Sequence, residues 1–140
     1  MSKPKYAKHT AIDVATTRHE IEAIISRWGG QRFRFMADRA HRRDIFIFEI
    51  FDPGHGWLPI SYAIKRYGRN NLDLAAQELR SRYRAVRDGI KMKLVQIDED
   101  IETPAQAFHA HIVVDRETGE TMFDRTRALL SIGSPNSEHR

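Results

Sequence analysis

An α+β fold is what this sequence predicts, with one antiparallel sheet and helices on one of its faces. Three observations carry that expectation. Three segments between Gln31 and Lys65 have strand character, and only short turns separate them. A helical apolar period runs from Leu72 to Ile97 through Ala76, Leu79, Tyr83, Val86, Ile90 and Leu94. A shorter amphipathic segment, stopped by Gly29-Gly30, precedes the first strand. The economical solution is a single domain over 15–133.

Residues 1–14 are basic and show no period, so they are expected to form a flexible arm. Thr16 or Thr17 is the expected N-cap of a helix over 17–28, with Glu20 as a capping-box partner. Ile21, Ile24, Ile25 and Trp28 give that helix its apolar face. From Gln31 to Met36, Phe33 and Phe35 alternate with Arg32 and Arg34. A charged turn over 37–43 follows. Asp44 to Phe51 is apolar on both faces, as a central strand would be. Asp52-Pro53-Gly54-His55-Gly56 is turn chemistry. Leu58 to Lys65 alternates again, and Pro59, lacking a ladder donor, favours an edge or the strand's first residues.

Lys65 to Asn71 is a polar connector, with Asn71 or Asp73 able to cap the long helix. Gly89 lies inside that helix, at a cost of about 1 kcal/mol against alanine. Thr103-Pro104 has the order of cap and first helical residue and begins a short helix over 104–110. A small hairpin over 112–123, a last helix over 124–132 and a polar tail over 134–140 complete the expectation.

Of the 140 residues, 41% are apolar and 30% charged, which is a globular composition. A net charge of +4 allows nucleic acid, an acidic protein or an anionic membrane surface as partner. The absence of cysteine excludes disulfides, thiolate zinc sites and a cysteine nucleophile. No secretory leader and no membrane-spanning stretch is present, so a cytoplasmic protein is expected.

On the long helix a second series, Arg80, Arg84, Arg87 and Lys91, repeats the spacing of the apolar one about a quarter-turn away. A cationic ridge of this kind can track phosphates. The turn Arg39, His41, Arg42 and Arg43 and the strand face Arg32 and Arg34 add further cations, which strengthen that reading if they share a side with the ridge and defeat it if they scatter. The alternative is a solvated helix flank. His109 and His111 would share one face of an extended segment, as some metal sites require. His55, His41 or a carboxylate would have to supply a third ligand, so a half-buried histidine beside Phe108 is favoured. His55 could serve acid–base chemistry at a loop tip, and Asp98, Glu99, Asp100 and Glu102 could hold a divalent ion, but solvent exposure explains both more simply. Trp28, Phe33, Phe35, Phe46 and Phe48 could stack bases, although their alternation assigns most of them to the core. Phosphate loops, nucleophile elbows and zinc-finger spacings are absent, and no cofactor is implied.

The order helix–strand–strand–strand–helix is similar to the double-stranded-RNA-binding domain. That family's lysine cluster is replaced here by Asn70, Asn71 and Asp73, and the Pro53-Gly54-His55 turn follows the second strand rather than the first. Three longer stretches, 17–30, 80–94 and 108–121, resemble a family of small uncharacterised proteins encoded in bacteriophages, prophages and integrative elements. That family typically has tryptophan where Tyr83 stands and an aliphatic residue where His109 stands. The resemblance implies an origin in a mobile element of a bacterial host and no catalytic residues. The expected function is a non-enzymatic accessory protein that binds DNA, RNA or a nucleic-acid-handling host complex through Arg80, Arg84, Arg87, Lys91, Arg42 and Arg43. The alternatives are a protein-interaction module, either a homodimer or an inhibitor of a host defence complex, and a metal-dependent hydrolase using His109 and His111.

Overall fold

A computed structural model describes the backbone of residues 5–132 and the side chains of residues 14–130. The elements run α1 (Lys5–Arg27), β1 (Gln31–Asp38), β2 (Arg43–Asp52), β3 (Gly56–Lys65), α2 (Ala76–Asp98), α3 (Pro104–Ala107) and α4 (Met122–Ile132). The fold is α+β, as the sequence predicts. β1, β2 and β3 form an antiparallel sheet in that order, with β2 in the centre.

Alternation along β2 and β3 sorts the sheet's two faces. Phe46, Phe48, Leu58, Ile60, Tyr62 and Ile64 point inward, where Ile21 and Ile25 of α1 and Leu79, Tyr83, Ile90 and Leu94 of α2 meet them in one core. Both long helices therefore cover the same face. The interior rings stack: Phe33 on Phe46 at 5.8 Å between centroids, and Phe46 on Tyr62 at 5.3 Å. Of the five aromatics considered for base stacking, Phe46 and Phe48 are fully buried, and Trp28, Phe33 and Phe35 pack against the core.

Several boundaries differ from expectation. α1 begins at Lys5, so Thr17 is a buried interior residue rather than a cap, and 5–14, expected as an arm, are helical in backbone. The rest of that arm, 1–4, and the tail, 134–140, lie outside the described residues. α2 begins at Ala76, four residues past the start of its apolar period at Leu72. Its N-cap is Ala75, whose N–H donates to Glu78 Oε1 at 3.2 Å, and not Asn71 or Asp73. Gly89 does not interrupt the helix. The expected helix over 104–110 ends at Ala107 and continues as a 3-10 turn, His109–His111. Thr103 caps α3 as expected, accepting from Gln106 N at 3.1 Å. The small hairpin reduces to one bridge, Val113 with Thr121.

Hydrogen bonds to Pro59 and Asp52 are among the contacts that hold the C-terminal region to the sheet. Val113 N donates to Pro59 O at 2.8 Å, on the β3 edge. Asp52 is buried in the β2–β3 turn and accepts from Gly54 N at 3.0 Å, from Ala105 N at 3.0 Å and from His55 Nδ1 at 2.8 Å. Burial works against its charge, but these donors outweigh it and hold the carboxyl below its usual range.

Candidate functional site

The ridge expected on α2 lies beside α1, and its members have different environments. Arg84 and Lys91 are exposed and have no ion pair among the described residues. Arg80 is half-buried. Arg87 turns inward, with Nη1 3.1 Å from Glu20 Oε2 on α1 and Nε 2.9 Å from Asp88 Oδ1. Its pKa is raised, chiefly by the hydrogen bond to Asp88. The two cations expected from the first turn are also tied internally. Arg42 donates to Asn71 O at 2.9 Å and Asp73 Oδ1 at 2.8 Å, and its guanidinium stacks 4.7 Å over the Tyr67 ring. Arg43 Nε donates to Asp38 Oδ2 at 2.9 Å. The six residues do not form one line. Arg84 and Lys91 face solvent along the middle of α2, whereas Arg42 sits near its N-terminus.

A different set of cations converges there. The 66–75 connector is folded back by Gly68 N to Leu72 O at 2.9 Å and Leu74 N to Arg66 O at 2.9 Å. Arg66 N donates to Arg42 O at 2.9 Å, fixing the connector to the first turn. Arg82 of α2 clamps it from the other side, donating to Lys65 O at 2.8 Å and Tyr67 O at 3.0 Å. Two open grooves of about 390 Å³ each flank this platform, one bordered by Lys65, Arg69 and Arg82, the other by Arg39, Arg42 and Arg66. A third cavity, of about 460 Å³, opens between α1, α2 and the sheet and adds Arg18. Seven cations thus border three adjoining depressions, against two carboxylates, Asp44 and Asp73.

Asp44 sits at the base of the third cavity and is almost fully buried. It accepts from Arg66 and from the Tyr83 hydroxyl through the same oxygen. Burial, reinforced by that bond, pushes the Tyr83 hydroxyl well above the ordinary phenol range. The trio is internally neutralised and positions Arg66, whose side chain remains half-exposed. Arg18 stacks 4.1 Å over the Phe35 ring on the opposite wall.

The histidine pair is not brought together. His109 and His111 lie in a 3-10 turn and not on an extended segment. His109 is exposed, while the His111 ring stacks 3.9 Å from Tyr62 and its Nδ1 lies 3.1 Å from Ser61 O. Among the described residues no three His, Asp or Glu side chains group closely enough to hold a metal. His55 is exposed and held by Asp52.

Sequence reasoning named Arg39 among the turn cations but missed Arg18, Lys65, Arg66, Arg69 and Arg82, which gather with it. One signal was readable: Lys65-Arg66-Tyr67-Gly68-Arg69 is a basic run with an aromatic inside it, placed between a strand and a helix. The convergence of Arg82 and Arg39 on that run depends on tertiary contacts. No family model, curated protein or solved structure matches the chain.

Proposed function

We propose that this protein binds nucleic acid without catalysing a reaction on it, and that the phosphate-contacting surface is the connector end rather than the length of the α2 ridge. The observation that carries this reading is the group of seven cations around adjoining grooves with only two carboxylates among them. Arginine dominates the group, and its planar donor fork suits phosphate oxygens. Arg82, Arg42 and Arg66 are held by backbone or side-chain partners, so little ordering is needed on binding. Arg39 and Arg69 are exposed and without ion pairs among the described residues, and they reach outward from this frame. Arg84 adds an exposed cation one turn before Arg87 on the flank of α2. The resemblance to proteins of mobile elements supports a role in handling DNA or RNA, either directly or within a host complex.

Fluorescence anisotropy against duplex DNA and duplex RNA at several salt concentrations tests the reading. Binding should weaken steeply with salt, and the Arg39→Glu/Arg69→Glu double variant should lower the salt slope by roughly 1 per lost phosphate contact. No salt-dependent binding at micromolar protein would end the proposal.

A protein-interaction role has separate support in α4, where Phe123, Leu129 and Leu130 are all exposed. Mass photometry that shows a stable dimer broken by Leu129→Glu would favour that reading. A metal-dependent hydrolase finds no support in the placement of His109 and His111.

A further inference from the structure

The sheet face turned away from the helices carries a surface of which the sequence singled out only Arg32 and Arg34. Odd-numbered residues of β2 and β3 point to it. Cross-strand rows place Met36, Ile45 and Ala63 together, then Arg34, Ile47 and Ser61, then Phe51 and Trp57 at one end. Among the described residues no helix covers it. Met36 is 46% exposed, Phe51 50% and Trp57 43%. Phe51 and Trp57 meet edge to face with centroids 5.5 Å apart, so each leaves much of a ring face open to solvent.

Charge on this face is biased. Arg34 is exposed and unpaired among the described residues. Arg43 and Lys65 face each other at the end opposite Phe51 and Trp57. Arg32, in the left-handed region at φ 54° beside a β-bulge, lies 3.7 Å from Glu49, and Arg116 lies 3.9 Å from the same carboxylate. Five cations therefore stand against Asp38 and Glu49. The carboxylate of Glu49 is nearly buried and enclosed by Gln31, Arg32 and Arg116, which leaves the cations outermost.

We infer that this face binds single-stranded nucleic acid, with bases stacking on Trp57 and Phe51 and the backbone running past Arg34 towards Arg43 and Lys65. The inference rests on the polyanion reading above and adds to it the strand state and a second surface. Open aromatic faces have no use for a duplex, whose bases already stack on one another, but they suit unpaired bases. From Trp57 to Lys65 the strand advances eight residue steps, about 26 Å at about 3.3 Å per residue. That length accommodates about four nucleotides, the lower end of site sizes on single-strand-binding domains. A second copy is a poorer occupant, because it would bring a second cation-rich face against this one. Lys65 also borders one of the connector grooves, beside Arg69 and Arg82, so a strand leaving the sheet would pass directly to those cations.

The test is anisotropy with a labelled 12-residue oligothymidine and the matching oligouridine, against a duplex of the same length. Tryptophan emission is followed in a Trp28→Phe background that leaves Trp57 alone. The inference expects single strands to bind more tightly than duplex, with Trp57 emission quenched on binding. Trp57→Ala should weaken single-strand binding about tenfold or more. Arg34→Glu should do so about fivefold, and both variants should keep the wild-type circular dichroism. If single strands and duplex bind alike, Trp57→Ala changes nothing and Arg39→Glu/Arg69→Glu abolishes binding, the sheet inference is overturned while the connector reading stands. If no nucleic acid binds, both are overturned. A dimer that Trp57→Ala dissociates and oligonucleotide does not would assign the face to a second copy and overturn the inference.

Discussion

The Tyr83 hydroxyl donates to the Asp44 carboxylate across the interface between α2 and β2. Tyr83 is fully buried, and Asp44 is almost fully buried beside it. Burying a carboxylate is costly unless donors compensate, and here Tyr83 and Arg66 share that role on one oxygen. The contact joins the helix to the central strand and holds Arg66 at the mouth of the cavity.

Removing the acceptor should therefore cost more than removing one donor. Asp44→Ala strands the Tyr83 hydroxyl and frees Arg66, for a loss of about 3 kcal/mol. Tyr83→Phe leaves Arg66 in place and should lose about 1–2 kcal/mol. Urea unfolding followed by circular dichroism measures both, and equal stability of Asp44→Ala and wild type would refute the role given to the pair. The alkaline limb has a sign as well. Because the folded Tyr83 pKa is raised above 10.0, its contribution is complete below about pH 10 and declines as pH rises beyond it. Tyr83→Phe should flatten that decline.

His111 makes stability sensitive to mild acid. Burial against Tyr62 lowers its pKa below the ordinary 6.5, and Lys93 adds to this, while the Ser61 carbonyl partly opposes it. The folded state thus favours the neutral ring, so its contribution is present above about pH 6.5 and is lost as pH falls through the folded pKa. Urea midpoints measured between about pH 7.5 and about pH 5 should fall for wild type and fall less for His111→Asn. Parallel curves for the two proteins would show that His111 is not the titrating group.

Two glycines should respond in opposite directions to alanine. At Gly30 a Cβ would sit 2.4 Å from Ile25 Cγ2, where α1 gives way to β1, so Gly30→Ala should cost about 2–3 kcal/mol. At Gly89 nothing lies within 4 Å of the added methyl, so Gly89→Ala should stabilise α2 by about 1 kcal/mol. Thermal melts of the two variants, shifted down and up, are the expected result.

Charge reversal should separate the two kinds of ridge residue. Arg84→Glu changes an exposed side chain and should leave unfolding within about 0.5 kcal/mol of wild type while weakening duplex binding. Arg87→Glu sets a third acid beside Glu20 and Asp88 and should destabilise by about 1 kcal/mol, a modest loss because both partners are largely open to solvent. Parallel denaturation and anisotropy on each variant check the distinction. Equal stability loss at Arg84 would mean that its charge, too, is structural.

The regular elements were legible because their periods are local properties. Strand alternation through Phe46, Phe48, Ile60 and Ile64, and the α2 stripe through Leu79, Tyr83, Ile90 and Leu94, follow directly from which faces must leave water. Helix starts were less legible. Thr17 resembles a cap, yet it lies inside a helix that begins at Lys5, and Asn71 and Asp73 are drawn to Arg42 instead of capping α2. The aromatic alternation identified the inward rings but passed over Phe51 and Trp57, which border the turn and face outward.

By itself the sequence determined an α+β chain, a central β2, a continuous α2 and a positive balance of charge, since composition and periodicity act over a few neighbouring residues. Only the tertiary structure decided which cations are available. Arg42, Arg43, Arg66 and Arg87 meet carboxylates distant in sequence or fixed by the local turn, and Arg82 meets backbone carbonyls, whereas Arg39 and Arg69 have no ion pair among the described residues; folding of the connector onto α2 and the first turn gathers Arg39, Arg42, Arg66, Arg69 and Arg82. The physical reason is range: apolar burial is set by each element's own pattern, but the field at a surface is a sum over charges that chain folding brings within a Debye length of one another.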